Sequence, residues 1–163
     1  MLDVYRLRRA ELDVHSILCK YVDAPVVARD AAGKPQLVGG AIHFNLSHSG
    51  ELAVVAVSDA PVGIDVEQQR AIADPAAFAR RFQFDTTDQR ELMRLWCRKE
   101  AWLKARGIGL AGVTARMDLR GWFVADLELA AGYSAAVARA GSPMEICVID
   151  WSGDVTIARK ISR

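Results

Sequence analysis

The sequence predicts an α+β protein of two similar lobes, each a helix packed on an antiparallel sheet, related by a pseudo-twofold within one chain. Three observations predict it. Apolar residues recur at helical spacing in residues 6–21 and again in residues 88–106. Short apolar runs bounded by Gly, Pro and Asp follow each segment, as strands joined by turns do. The halves also echo one another. Gly50-Glu51-Leu52-Ala53-Val54-Val55-Ala56-Val57 resembles Gly132-Tyr133-Ser134-Ala135-Ala136-Val137-Ala138-Arg139, and the same displacement carries residues 6–21 onto 88–103. The expected division is a first lobe at 1–60 and a second at 61–163.

In chain order, Leu7, Ala10, Val14, Ile17, Leu18 and Tyr21 form the stripe of the first expected helix, stopped by Asp23-Ala24-Pro25. Ala31-Ala32-Gly33-Lys34-Pro35 and Gly39-Gly40 read as turns. Residues 42–46 and 52–57 read as strands, and after the turn at Asp59-Ala60-Pro61 residues 62–67 return as another. Residues 78–82 suit a short helix. Residues 88–106 form the strongest helical pattern, ended by Gly107-Ile108-Gly109, with Leu110 beside it. Residues 114–118, 122–129, 134–139 and 144–150 read as strands.

Bulk composition narrows the function. Twenty-one basic and 20 acidic residues leave a net charge of +1, so no global field points to nucleic acid or to an anionic membrane. Any anion site must be a local arrangement. Cys19, Cys97 and Cys147 are odd in number and widely spaced, which suits free thiols in the cytoplasm rather than a disulfide framework or a zinc site. No apolar run approaches a bilayer-spanning length, and the start lacks a basic-then-apolar signal. A cytoplasmic monomer with no nucleic-acid or membrane partner is the expectation.

The chemistry begins at Val62-Gly63-Ile64-Asp65-Val66-Glu67. Alternation puts Val62, Ile64 and Val66 on one face and Gly63, Asp65 and Glu67 on the other. Two carboxylates about 7 Å apart beside a glycine suit a hard cation such as Mg²⁺, and equally suit the solvated face of an edge strand. In Trp96-Cys97-Arg98-Lys99-Glu100-Ala101-Trp102-Leu103-Lys104, Glu100 and Lys104 share a helix face. They read as a third ligand and a phosphate contact, or as a plain ion pair worth about 0.2–0.5 kcal/mol. In Phe44-Asn45-Leu46-Ser47-His48-Ser49-Gly50, His48 fits a capped turn or a ligand contact. Ser47 is no hydrolase nucleophile, because the Gly-x-Ser-x-Gly elbow is absent.

Together the three segments resemble the ordered motifs of the 4'-phosphopantetheinyl transferases, and Gly33-Lys34-Pro35 matches an earlier motif of their larger, surfactin-type branch. The resemblance implies that family's two-lobed α+β fold. It implies Mg²⁺-dependent transfer of 4'-phosphopantetheine from coenzyme A to a serine of an apo acyl or peptidyl carrier protein, releasing 3',5'-ADP. Asp65, Glu67 and Glu100 would be the metal ligands. Lys99 and Lys104 would lie near the phosphates, with Lys104 the better placed by helix geometry. Lys34 and His48 would contact the 3'-phosphate, with Gly33, Pro35 and Ser47 near the adenine and ribose. Glu100, directly or through a metal-bound water, is the implied base for the serine hydroxyl, so Asp65, Glu100 and Lys104 form the catalytic set.

Two departures accompany the resemblance. The family places a strand and a basic loop ahead of the first helix; this chain is short there, with Arg6, Arg8 and Arg9 the nearest basic residues. The acidic residue that follows the Arg81-Phe82 pair in the family falls on Thr87, one position before Asp88. A relative that binds coenzyme A or a carrier protein without turnover is the competing reading. A different metal-dependent phosphotransferase or phosphodiesterase is the third.

Overall fold

The computed structural model describes residues 1–30, 33–40, 42–109, 113–114, 116–152 and 156–161. Ten strands and three α-helices run in the order β1 (Leu2–Arg8), α1 (Val14–Leu18), β2 (Val27–Arg29), β3 (Pro35–Leu37), β4 (His43–Ser49), β5 (Leu52–Ser58), β6 (Val62–Gln68), α2 (Pro75–Phe82), α3 (Gln89–Arg106), β7 (Trp122–Asp126), β8 (Tyr133–Ala140), β9 (Ile146–Trp151) and β10 (Thr156–Ile161). They form a five-stranded sheet in the order β10-β9-β1-β5-β4, a three-stranded sheet β6-β8-β7, and the β2-β3 hairpin. Every strand pair is antiparallel except β1 with β9. The α+β class expected from the sequence is what the chain adopts.

The layers follow from side-chain alternation. Leu2, Val4, Val54, Ala56, Ile146 and Val148 of the larger sheet meet Ile64, Val66, Phe123 and Val137 of the smaller one in the central core. The other face of the larger sheet carries Tyr5, Leu7, Val55 and Val57, covered by Ile17 and Leu18 of α1 and Leu37 of the hairpin. Helix α3 covers the outer face of the smaller sheet, where Cys97, Ala101 and Ala105 lie on Ala136 and Ala138. Small residues on both sides let helix and sheet approach closely.

The first expected helix is only partly present. Residues 2–8 form β1 instead, paired along its whole length with β5 and on its other edge with β9. Leu2, Val4 and Leu7 are buried there. Leu7 satisfies both a helical and a strand periodicity, and two waiting sheet neighbours decide for the strand. After a short 3-10 helix at Arg9–Glu11, only residues 14–18 are α-helical, capped by the Asp13 carboxylate accepting from Ser16 N at 3.1 Å. The strands of the apparent repeat are present as β5 and β8, while its first helix is reduced to α1.

The later elements match more closely. The Asp88 side chain caps α3 by accepting from Glu91 N at 2.8 Å, and Gly107, at φ 68°, ends it. The expected strand at 114–118 is not one: Thr114 and residues 116–118 lie in a turn and an irregular stretch, and Ala115 lies outside the described residues. Ala31, Ala32 and Leu110, placed in or beside turns from the sequence, also lie outside them. Strands β9 and β10 follow residue 61 yet join the sheet of β1, β4 and β5.

Gly63 sets how near α3 comes to β6. A Cβ there would stand 2.1 Å from the Ala101 carbonyl oxygen and 2.3 Å from the Ala105 nitrogen, both helix backbone. Gly63→Ala must therefore push the helix off the strand. We expect a loss of roughly 3 kcal/mol or more, read as a lower urea midpoint.

Candidate active site

Strand β4 lies beside β6 without a backbone ladder between them; side chains supply it. Asn45 Oδ1 accepts from Ile64 N at 2.9 Å, Ser47 Oγ from Val66 N at 3.4 Å, and Ser49 Oγ from Gln68 N at 3.1 Å. The two serines then donate onward, Ser47 to Asp65 Oδ1 and Ser49 to Glu67 Oε2, each at 2.9 Å. Alternate residues of one strand thereby satisfy alternate N–H groups of the next and orient both carboxylates.

Helix α3 closes the site from above. Lys104 Nζ donates to Asp65 Oδ1 at 2.6 Å, to Ser47 Oγ at 3.1 Å and to the Ile64 carbonyl at 3.3 Å. Asp65 is 4% exposed, so the solvated-face alternative for this strand fails. Asp65 Oδ2 and Glu100 Oε1 are buried and have no hydrogen-bond partner among the described residues. Burial raises the Glu100 carboxyl above the usual carboxylate range, the Asp65 and Glu67 charges push the same way, and Lys104 opposes them. Cys97, on the same helix, donates its thiol to the Ser134 carbonyl at 3.2 Å, and its pKa is raised by burial and then by Asp65.

Lys34 reaches the same place from the β2-β3 hairpin. Its ammonium donates to the Lys104 carbonyl at 2.6 Å and the Val62 carbonyl at 3.3 Å, tying the hairpin to the C-terminal end of α3. Gly33, Lys34, Pro35, Asn45, Lys104, Gly107 and Gly109 line a cavity of about 200 Å³ between them. Buried carboxylates and two lysines beside this cavity could hold a cation and an anionic ligand together.

A family model described as the 4'-phosphopantetheinyl transferase superfamily matches residues 61–152, more than half of the chain. The chain belongs to the 4'-phosphopantetheinyl transferase superfamily. It is 34% identical over 122 residues to the 4'-phosphopantetheinyl transferase psf-1 of Bacillus pumilus, covering 64% of this chain and 51% of that protein. It is 32% identical over 121 residues to the transferase gsp of Aneurinibacillus migulanus, covering 66% and 51%, and 37% identical over 98 residues to HetI of Nostoc sp., covering 50% and 41%. Its surfactin-type affinity is carried by psf-1 and gsp together with Sfp of Bacillus subtilis. The chain spans about half the length of the curated relatives it matches.

Not every residue singled out as a family position comes to this place. Asp65, Ser47 and Lys104 are in direct contact, Glu100 interacts with Asp65, Lys104 and Glu67 through their charges, and Gly33, Lys34 and Pro35 line the adjoining cavity. Lys99 does not join them. It is 2% exposed, donates to the Phe82 carbonyl at 2.9 Å, and stands 5.6 Å from the centre of the Phe84 ring. His48 is exposed on the face of β4 that carries Phe44 and Leu46, opposite the bridging side chains. His43, at the other end of β4, is the histidine within electrostatic reach of Lys34. Arg6 is engaged with Asp150 and the Leu129 carbonyl, and Asp88 caps α3.

Two buried carboxylate oxygens without partners, beside a third carboxylate, suit a hard divalent cation that completes its shell with water and phosphate oxygens. Among the described residues no three acidic, histidine or cysteine side chains are already drawn into one ligand set. Sequence reading missed Asn45 and Ser49; the period of two in Asn45, Ser47 and Ser49 was their only signal.

Glu100 yields a test without turnover. The folded state holds the Glu100 proton more tightly than the unfolded chain does. Its contribution is therefore most favourable below the unfolded carboxylate range and is lost as pH rises through the raised folded value. Glu100→Gln is expected to raise Tm of the metal-free protein at neutral pH. The difference between variant and wild type should shrink on acidification. A Tm difference that does not change with pH would remove the uncompensated charge from this account.

Proposed function

We propose that the chain transfers the 4'-phosphopantetheine group of coenzyme A to a serine hydroxyl of an apo acyl or peptidyl carrier protein in the cytoplasm, with Mg²⁺, releasing 3',5'-ADP. The observation that carries the reading is the meeting of Asp65, Glu100 and Lys104 beside the Lys34 cavity, in a member of this superfamily. Among the described residues no helix is long and apolar enough to cross a membrane.

Asp65, Glu67 and Glu100 would hold the Mg²⁺, which when bound neutralises charge developing on the pyrophosphate. Lys104 adds a positive group on the same side, and Lys34 takes the 3'-phosphate at the far end of the cavity. Gly33 and Pro35 flank the nucleoside. Ser47 holds Asp65 in position rather than reading the ribose, as its bond to the carboxylate supports. The carrier serine oxygen forms a bond to the phosphorus bearing pantetheine, and the bond from that phosphorus to the departing ADP oxygen breaks. Glu100 would take the serine proton.

Incubation with coenzyme A, an apo carrier protein and Mg²⁺ should add one phosphopantetheine group to the carrier by mass spectrometry, and EDTA should stop it. Asp65→Asn, which keeps the shape of the buried side chain, should reduce the rate at least about 100-fold. Coenzyme A bound without any gain in carrier mass would instead identify a non-catalytic relative. Separately, Lys34→Ala should weaken coenzyme A about tenfold and dephospho-coenzyme A far less, since one charge-assisted contact is worth roughly 1.5–3 kcal/mol before solvent screening. Equal losses for the two ligands would take Lys34 off the 3'-phosphate.

A further inference from the structure

The Lys104 ammonium stands where the metal reading needs a free carboxylate. It makes a 2.6 Å contact to Asp65 Oδ1, and that same oxygen also receives the Ser47 hydroxyl. Asp65 Oδ1 is thus fully engaged while Oδ2 has no partner among the described residues. A divalent cation on this carboxylate would stand next to the ammonium, and like charges at one buried carboxylate repel strongly. The lysine has somewhere to go. Its side chain lines the cavity of about 200 Å³ shared with Lys34, Asn45, Gly107 and Gly109, and its remaining acceptors are only a hydroxyl and a carbonyl.

We propose that Lys104 is a built-in counter-ion for Asp65 in the metal-free protein, and that it yields Asp65 to the divalent cation and turns into the Lys34 cavity. Metal binding and presentation of the lysine to the anionic ligand are then one event. The lysine keeps the buried Asp65 carboxylate paired before the metal arrives. It prevents premature capture of an anion, because an ammonium held by Asp65 is already neutralised. The inference rests on the metal reading given under Proposed function.

Calorimetric titration of Mg²⁺ without coenzyme A, into wild type, Lys104→Met and Asp65→Asn, tests it. Lys104→Met should bind Mg²⁺ about tenfold more tightly than wild type, and Asp65→Asn should bind it at least tenfold more weakly. A measurement on unaltered protein stands beside it in case the methionine variant does not fold. With ¹⁵N-labelled lysine, the Lys104 ammonium resonance should move as Mg²⁺ is added, with the midpoint seen by calorimetry. The resonance is assigned by its loss in Lys104→Arg. Mg²⁺ binding to wild type with an unmoved Lys104 resonance, or with no gain in Lys104→Met, would overturn the exchange and leave the metal reading standing. No Mg²⁺ binding to wild type or to Lys104→Met would overturn both.

Discussion

Three side chains on alternate positions of β4 hold the two sheets together where no backbone ladder joins them. Asn45, Ser47 and Ser49 accept from Ile64, Val66 and Gln68 N–H groups. Without Asn45 and Ser47 the edge of β6 would carry two buried donors with no acceptor, each costing about 1–3 kcal/mol. The same contacts locate the chemistry. A serine that accepts from a backbone N–H has its own hydroxyl hydrogen left to give, and both serines give it to the carboxylates of β6. The joint between the sheets and the positioning of Asp65 and Glu67 are one set of bonds.

The helix must then come close enough to use those carboxylates. Gly63 makes the approach possible on β6, and Ala101 with Ala105 on α3, Ala136 and Ala138 on β8, keep the interface thin. Thin packing has an electrostatic consequence. Glu100 arrives next to Asp65 in a setting with little water, so its charged form is disfavoured first by burial and then by its neighbour. Lys104, one turn further along α3, supplies the positive charge that makes the cluster tolerable. Steric freedom at one glycine thus sets the charge problem that the lysine solves.

What was legible in the sequence tracks how local the determining physics is. The alternation over residues 62–67 assigned the core and carboxylate faces correctly, and the caps of α3 at Asp88 and Gly107 were visible as residue types. The helical reading of residues 6–21 failed in its first half because Leu7 fits two periodicities, and only the remote strands β5 and β9 choose between them. The β2-β3 hairpin was missed for a related reason. Three-residue strands carry too few side chains to show a period, yet this hairpin delivers Lys34 to α3. Ser47 and Asp65 were each singled out, but not as partners, since a contact across 18 positions leaves no trace in local spacing.

Lys99 and Lys104 show why motif membership does not give a role. Both sit on α3, five residues apart, and that spacing turns them well away from one another around the helix. Lys104 faces β6 and finds a carboxylate. Lys99 faces the end of α2, where it finds the Phe82 carbonyl and the Phe84 ring, and burial pushes its ammonium below the usual lysine range. One lysine serves the charge cluster and the other fastens α2 to the helix that carries Glu100. The chemistry of the site depends on both, through different bonds: a shift of α3 along its axis would move Glu100 and Lys104 off Asp65 together, and the Lys99 contact opposes that shift.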